Sequence, residues 1–316
     1  MAHPVPLQSF LGGLSIPIPV HALTLLNGNV FGISGFIHRA VKGNVEGAAG
    51  AVGLVLGGML PRLPLPLPLS RIALSGLLVG LGTKLSNGCT SGSLAATVSF
   101  FTTGVITASL LHSDLPAVGT FDWTLGASGA KYLAYQAFPL AASALLYFLA
   151  PQSSSATPPA PASKEPTLTP QPSGYQPLLR TLAFVTTSVQ FALALQLSGL
   201  TDPTRVLSFL LLPFHKAFDP SLAFLAAGAL PLGIALYRYA RGNEIPRLGG
   251  KWSIPKPGSI DTKLVLGAAI FGVGWGMAGV CPGPGLVNLG RAIAAGGDIL
   301  PFATFLATLI TGGLLV

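Results

Sequence analysis

The chain has 316 residues, of which 17 are Lys or Arg and 9 are Asp or Glu, with a net charge of +8 and a mean hydropathy of +0.67. A soluble fold carries about a quarter of its residues charged, so the 8% found here excludes one and predicts an all-α, multi-pass membrane protein. The basic residues lie in loops without interleaved aromatics, which argues against nucleic acid and makes the lipid bilayer the first partner.

A helix needs about 20 apolar residues to cross a hydrocarbon layer of about 30 Å. The first such stretch, 8–26, lacks a basic leader and a small-residue cleavage site and reads as a retained span. It ends at a glycine-rich interruption, Asn27 to Gly35, after which spans are expected at 45–61 and 70–86. A second interruption, Ser86-Asn87-Gly88-Cys89-Thr90-Ser91-Gly92, precedes spans at 98–112 and 131–150. Residues 151–176 are rich in Pro, Ser, Ala and Thr with no apolar run, the composition of a disordered linker. Beyond it come a span at 177–198, an interruption from Ser198 to Pro203, a span at 219–239 and a basic loop from Arg241 to Ile260. The last spans, 262–279 and 299–316, flank Gly279-Val280-Cys281-Pro282-Gly283-Pro284-Gly285. That makes about nine membrane helices.

The order of spans and interruptions is the same on both sides of the linker, which predicts two halves, 1–150 and 177–316, joined by 151–176. The extra span at 131–150 makes the first half odd-numbered, so the second should be inverted relative to it. Paired interruptions in corresponding places of two such halves are the best sequence pointer to a transporter's binding site.

Backbone freed from a helix at membrane depth must be buried in protein or line a polar cavity. Each interruption is followed by helix-compatible sequence, so each can present a helix N-terminus, whose unpaired N–H groups attract anions. The candidates for contact with a permeant anion are Cys89, Cys281, Gly88, Thr90, Ser91, Gly92, Gly283, Ser34 and Thr201, with Lys84 and Arg291 as steering cations. Thr201 or Asp202 is the expected N-cap of a helix with Pro203 in its first turn. The two cysteines, the only ones in the chain, admit three readings: apolar filling, a Cys89–Cys281 disulfide, or thiols in contact with a soft, polarisable permeant. The histidines lack helix-spaced carboxylate or cysteine partners, so neither a metal nor a cofactor is expected, and no catalytic motif stands out.

These pieces resemble the YeeE/YedE sulfur-transport family, which includes bacterial thiosulfate-uptake proteins. The likeness rests on Leu26 to Gly35, Gly80 to Gly92 with its Gly-Cys-Thr-Ser-Gly core, Ser198 to Pro203 with Phe218 to Leu222, and Phe271 to Pro284 with its Cys-Pro-Gly-Pro end. Relatives often occur as two half-length membrane proteins, and this chain looks like two of them fused. The resemblance implies an hourglass-like bundle in which Cys89 and Cys281 hand thiosulfate along by S–H···S contacts. A soluble sulfur-carrier protein is a candidate further partner, and the expected location is the plasma membrane, with an organelle membrane as the alternative. Full-length thiosulfate carriers place a further cysteine in the first interruption, where this chain has none, and Ser93 stands where relatives often have His, which leaves another sulfur anion open. The expected function is therefore transport of a small sulfur-containing anion rather than an enzymatic reaction. A membrane-bound transferase carrying a cysteine persulfide and a disulfide-stapled structural subunit are its rivals.

Overall fold

The computed structural model describes residues 3–59, 67–86, 94–150, 175–239, 246–249 and 261–316, and among them finds fourteen helices and no strand. The first span is two helices, α1 (Pro6–Ser15) and α2 (Pro17–Asn27), broken where Pro17 has no N–H to continue the ladder. After the first interruption comes a half-length helix, α3 (Ile33–Val41), and then α4 (Val45–Gly58), α5 (Leu69–Leu85) and α6 (Leu94–Leu111). The extra span is α7 (Gly126–Tyr135) running into α8 (Ala137–Leu149). Beyond residue 175 come α9 (Gln176–Ser198), the short α10 (Pro203–Leu210), α11 (Ser221–Tyr239), α12 (Thr262–Ala278), α13 (Pro282–Ala295) and α14 (Leu300–Leu314).

Local chemistry sets the ends. Asn44 caps α4 by accepting from the Gly47 N–H at 2.8 Å, and Asp261 caps α12 by accepting from the Leu264 N–H at 2.8 Å. Gly28, Gly199 and Gly279 stop α2, α9 and α12 in the left-handed region, with φ of 71°, 77° and 67°, a conformation glycine adopts without a steric cost.

All nine expected spans coincide with helices. Five helical stretches are long and apolar enough to cross a membrane: Pro6–Asn27, Gly126–Leu149, Gln176–Ser198, Ser221–Arg238 and Thr262–Ala295. Others are shorter, among them Val45–Gly58, Ala95–Leu111 and Leu300–Leu314. At 1.5 Å per residue, 14 residues of α4 reach about 21 Å, less than a full hydrocarbon layer. The chain is an integral, multi-pass, all-α membrane protein.

The closest packing is between elements on opposite sides of residue 150, and it follows an exchange. α4 lies along α9 and α11 along α1; α5 lies along α14 and α12 along α6; α5 and α12 lie against each other, as do α1 and α9. Swapping α1 with α9, α4 with α11, α5 with α12 and α6 with α14 returns the same set of pairs. The residues in contact give the directions. Glu46 meets Arg180 and Gly57 meets Val189 and Ala192, so α4 and α9 run parallel. Gly82 meets Phe271 while Gly274 meets Ser75, so the exchanged partners α5 and α12 run antiparallel. Helices that swap places while pointing in opposite directions are related by an axis across the bundle, the geometry of an inverted repeat.

Small residues make these contacts possible. A methyl group at Gly80 would strike the Leu309 carbonyl, and one at Gly272 the Phe100 carbonyl. These are equivalent faces, α5 on α14 and α12 on α6, where absent side chains let backbones approach as they do in lipid-embedded bundles. Across α5 and α12 the Ser75 hydroxyl donates to the Gly274 carbonyl at 2.7 Å. The main core cluster, including Leu54, Val79, Leu195, Trp275 and Phe305, joins both portions of the chain.

Candidate functional site

The interruption at 279–285 sits where α3 and α10 converge. Gly279 lies against the Pro203 carbonyl at the start of α10, a methyl at Gly279 falling 2.5 Å from that oxygen. Gly283 lies against Ile33 at the start of α3, where a methyl would come 2.7 Å from Cδ1. Residues 279–283 thus touch the first residue of both α3 and α10. Cys281, between these contacts, is the half-buried N-cap residue of α13, with φ −97° and ψ 166°.

Three helix N-termini therefore meet around one short segment, and they differ in what they offer. In α13, Pro282 and Pro284 carry no N–H, and the Gly285 N–H is taken by the Cys281 carbonyl at 2.9 Å. Within that first turn the Gly283 N–H is the donor left without an intrahelical acceptor. Its walls are apolar: Ile33, Leu195 and Phe191, with Phe31 stacked on Phe191 at 4.5 Å. In α3, the N-cap Gly32 supplies no side-chain cap, and the amides of Ile33, Ser34 and Gly35 have no acceptor within the helix. Open space lies beside Gly32 and Gly35. In α10, by contrast, the Asp202 carboxylate accepts from the Thr204 N–H at 3.0 Å. That carboxylate already answers the positive end of the helix, so α10 is the poorest anion site of the three.

Of the residues singled out from sequence, Cys281, Gly283 and Ser34 lie on this junction. The half-buried Ser34 turns its carbonyl to His38 Nδ1 at 2.7 Å. Thr201 and Arg291 are brought together: Arg291 donates to the Thr201 hydroxyl at 3.1 Å, and both are buried. Lys84 is exposed in the last turn of α5, where a cation complements the carbonyl end of the helix. Gly88, Cys89, Thr90, Ser91 and Gly92 lie outside the described residues. Ser86, just before them, packs against Gly267, which along α12 is about 18 Å from Gly279. The described C-terminal ends of α5 and α12 thus lie at opposite ends of their antiparallel pair.

Sequence reasoning missed Asn288. Its amide donates to the Thr201 carbonyl at 2.8 Å and accepts from Arg291 at 3.3 Å. Its place three residues before Arg291, on one helix face, is the sequence signal that could have found it. Also missed were two ion pairs, Arg180–Glu46 at 2.6 Å and Arg205–Asp219 at 3.4 Å.

Fold and site together define a multi-pass membrane protein in which the starts of α3, α10 and α13 meet at residues 279–283. Residues 179–316 match the model of a family of unknown function (DUF6691). A protein of Xylella fastidiosa strain Temecula1, named a probable transporter, is 34% identical over 129 residues, spanning 41% of this chain and 84% of the relative. A second probable transporter from that strain is 35% identical over 123 residues, spanning 32% of this chain and 91% of the relative. Strain 9a5c has a counterpart of each. No solved structure gives a significant match. The chain belongs to the family of these probable transporters, each of which is about half as long.

Proposed function

We propose that this protein carries a small sulfur-containing anion, thiosulfate first, across a membrane, as a fusion of two YeeE/YedE-like halves (1–150 and 177–316) joined by 151–176. The observation that carries this reading is the meeting of the N-termini of α3, α10 and α13 on residues 279–283. The half-length probable transporters support both the transport and the fusion. The chemistry of the junction supports the choice of anion. One N–H at Gly283, a thiol at Cys281 and apolar walls make a site with few donors. A strongly hydrated anion such as sulfate loses more on leaving water than so few donors return. A softer anion with a terminal sulfur gives up less and can accept from the thiol. Fixed N–H dipoles stand in for water without holding the ion tightly.

The described ends of α5 and α12, after which the two cysteines follow in sequence, lie at opposite ends of the antiparallel pair, which supports successive contacts: one thiol receives the anion and the other passes it on. Thr90 and Ser91 would supply oxygen contacts on the Cys89 side, and Ser34 on the Cys281 side.

The test is uptake of labelled thiosulfate and sulfate by purified protein in vesicles. Thiosulfate should enter and sulfate should not, and Cys281→Ala or Cys89→Ala should abolish entry with the protein still monodisperse. Undiminished uptake in either variant rejects the thiol's role, and absence of uptake by the parent rejects the substrate.

A further inference from the structure

We infer that Asn288 and Arg291 are positioning residues: with Thr201 they form a buried clamp that sets the register of the Cys281 segment against α10. This rests on the proposed transport site, but its test does not.

Three hydrogen bonds close the clamp. Arg291 donates to the Thr201 hydroxyl at 3.1 Å and to the Asn288 side-chain oxygen at 3.3 Å, and Asn288 donates to the Thr201 carbonyl at 2.8 Å. Thr201 is 2% exposed, Asn288 3% and Arg291 7%. Hydrogen bonds to a charged group are among the strong ones and are costly to lose when buried.

The placement gives the clamp its consequence. Residues 201–203 touch the segment on both sides of Cys281, at Gly279 through the Pro203 carbonyl and at Asn288 and Arg291 through Thr201. A residue bracketed in this way cannot shift along the path unless one contact breaks. Thr201 thereby becomes part of the frame: its carbonyl and hydroxyl both have partners within the protein.

The experiment reads the thiol directly. In a Cys89→Ser background, Cys281 is the sole cysteine, and its rate of modification by a small methanethiosulfonate reagent reports its position without any thiosulfate. Thr201→Val keeps the size of the side chain and removes the acceptor; Asn288→Leu removes both bonds of the amide. Each should change the modification rate by about tenfold, the size expected for loss of a charge-assisted bond. Thr201→Ser, which keeps the hydroxyl, should stay near the parent rate. Should Asn288→Leu not fold, Arg291→Lys retains the charge without the planar fork and should also shift the rate.

Folded Thr201→Val and Arg291→Lys proteins reacting at the parent rate would overturn the clamp. A raised KM for thiosulfate in Thr201→Val with both cysteines present, beside an unmoved modification rate in the Cys89→Ser background, would also overturn it, by making Thr201 a permeant contact. Loss of the transport reading alone would leave the modification rates as evidence on the clamp.

Discussion

Gly290 and Gly35 illustrate how differently one residue type is used near the site. A methyl at Gly290 would run into the backbone carbonyl of Val55 on α4, whereas one at Gly35 would meet open space. Gly290→Ala should therefore destabilise the protein by about 1–3 kcal/mol, the cost of forcing packed backbones apart, seen as a lower melting temperature in detergent. Gly35→Ala should leave the melting temperature unchanged. His112, just past the end of α6, has a different sensitivity. Its buried ring places Nε2 at 3.0 Å from the Met277 carbonyl, so that nitrogen carries the proton and donates to a carbonyl of the last turn of α12, where intrahelical donors run out. His112→Phe keeps a ring of similar size but removes the donor, and should lower stability by about 1–2 kcal/mol, seen as a lower melting temperature in detergent. An unchanged melting temperature would show that this bond contributes nothing.

At the scale of elements, the sequence was most informative where backbone chemistry is local. Apolar length located all nine spans, and the Gly and Pro clusters located the starts of α3, α10 and α13. Asp202 caps α10 with Pro203 behind it, a signal carried entirely by neighbouring residues. Asn288 was legible only in its spacing to Arg291; its role comes from Thr201, 87 residues away. Lys84 could not be placed from sequence for a similar reason: hydropathy marks a charge inside an apolar run, but only packing decides whether it turns inward or outward. The Cys89 segment lies outside the described residues. The pair Arg180–Glu46, with side chains 16% and 24% exposed, also fastens α9 to residues 248 and 249 through carbonyl acceptors. Glu46→Gln should lower stability by about 1–2 kcal/mol, more than a surface pair because water screens it less. Adding Arg180→Gln should cost less than the sum of the single changes. Strict additivity in thermal unfolding would show that the two residues are not coupled.

For the molecule as a whole, the exchange of partners means that neither portion buries its own small-residue faces. α4 needs α9, α11 needs α1, α5 needs α14 and α6 needs α12. Separate expression of residues 1–150 and 177–316 should give two unstable products, and co-expression should restore a purifiable complex. A portion that is stable and monodisperse alone would contradict this account. The same arrangement explains why the resemblance could suggest two fused units while leaving their mutual fit unread: the contacts are built on spaced glycines such as Gly53, Gly80 and Gly272, chemically plain until the partner helix is known.

The interleaving also has a temporal side. While the ribosome is still making α9 to α14, the grooves on α1, α4, α5 and α6 have no protein to fill them, and lipid tails or neighbouring nascent chains are the only occupants at hand. Covalent continuity shortens that exposed interval, because the missing surfaces arrive tethered to the ones that await them rather than by a chance encounter in the bilayer.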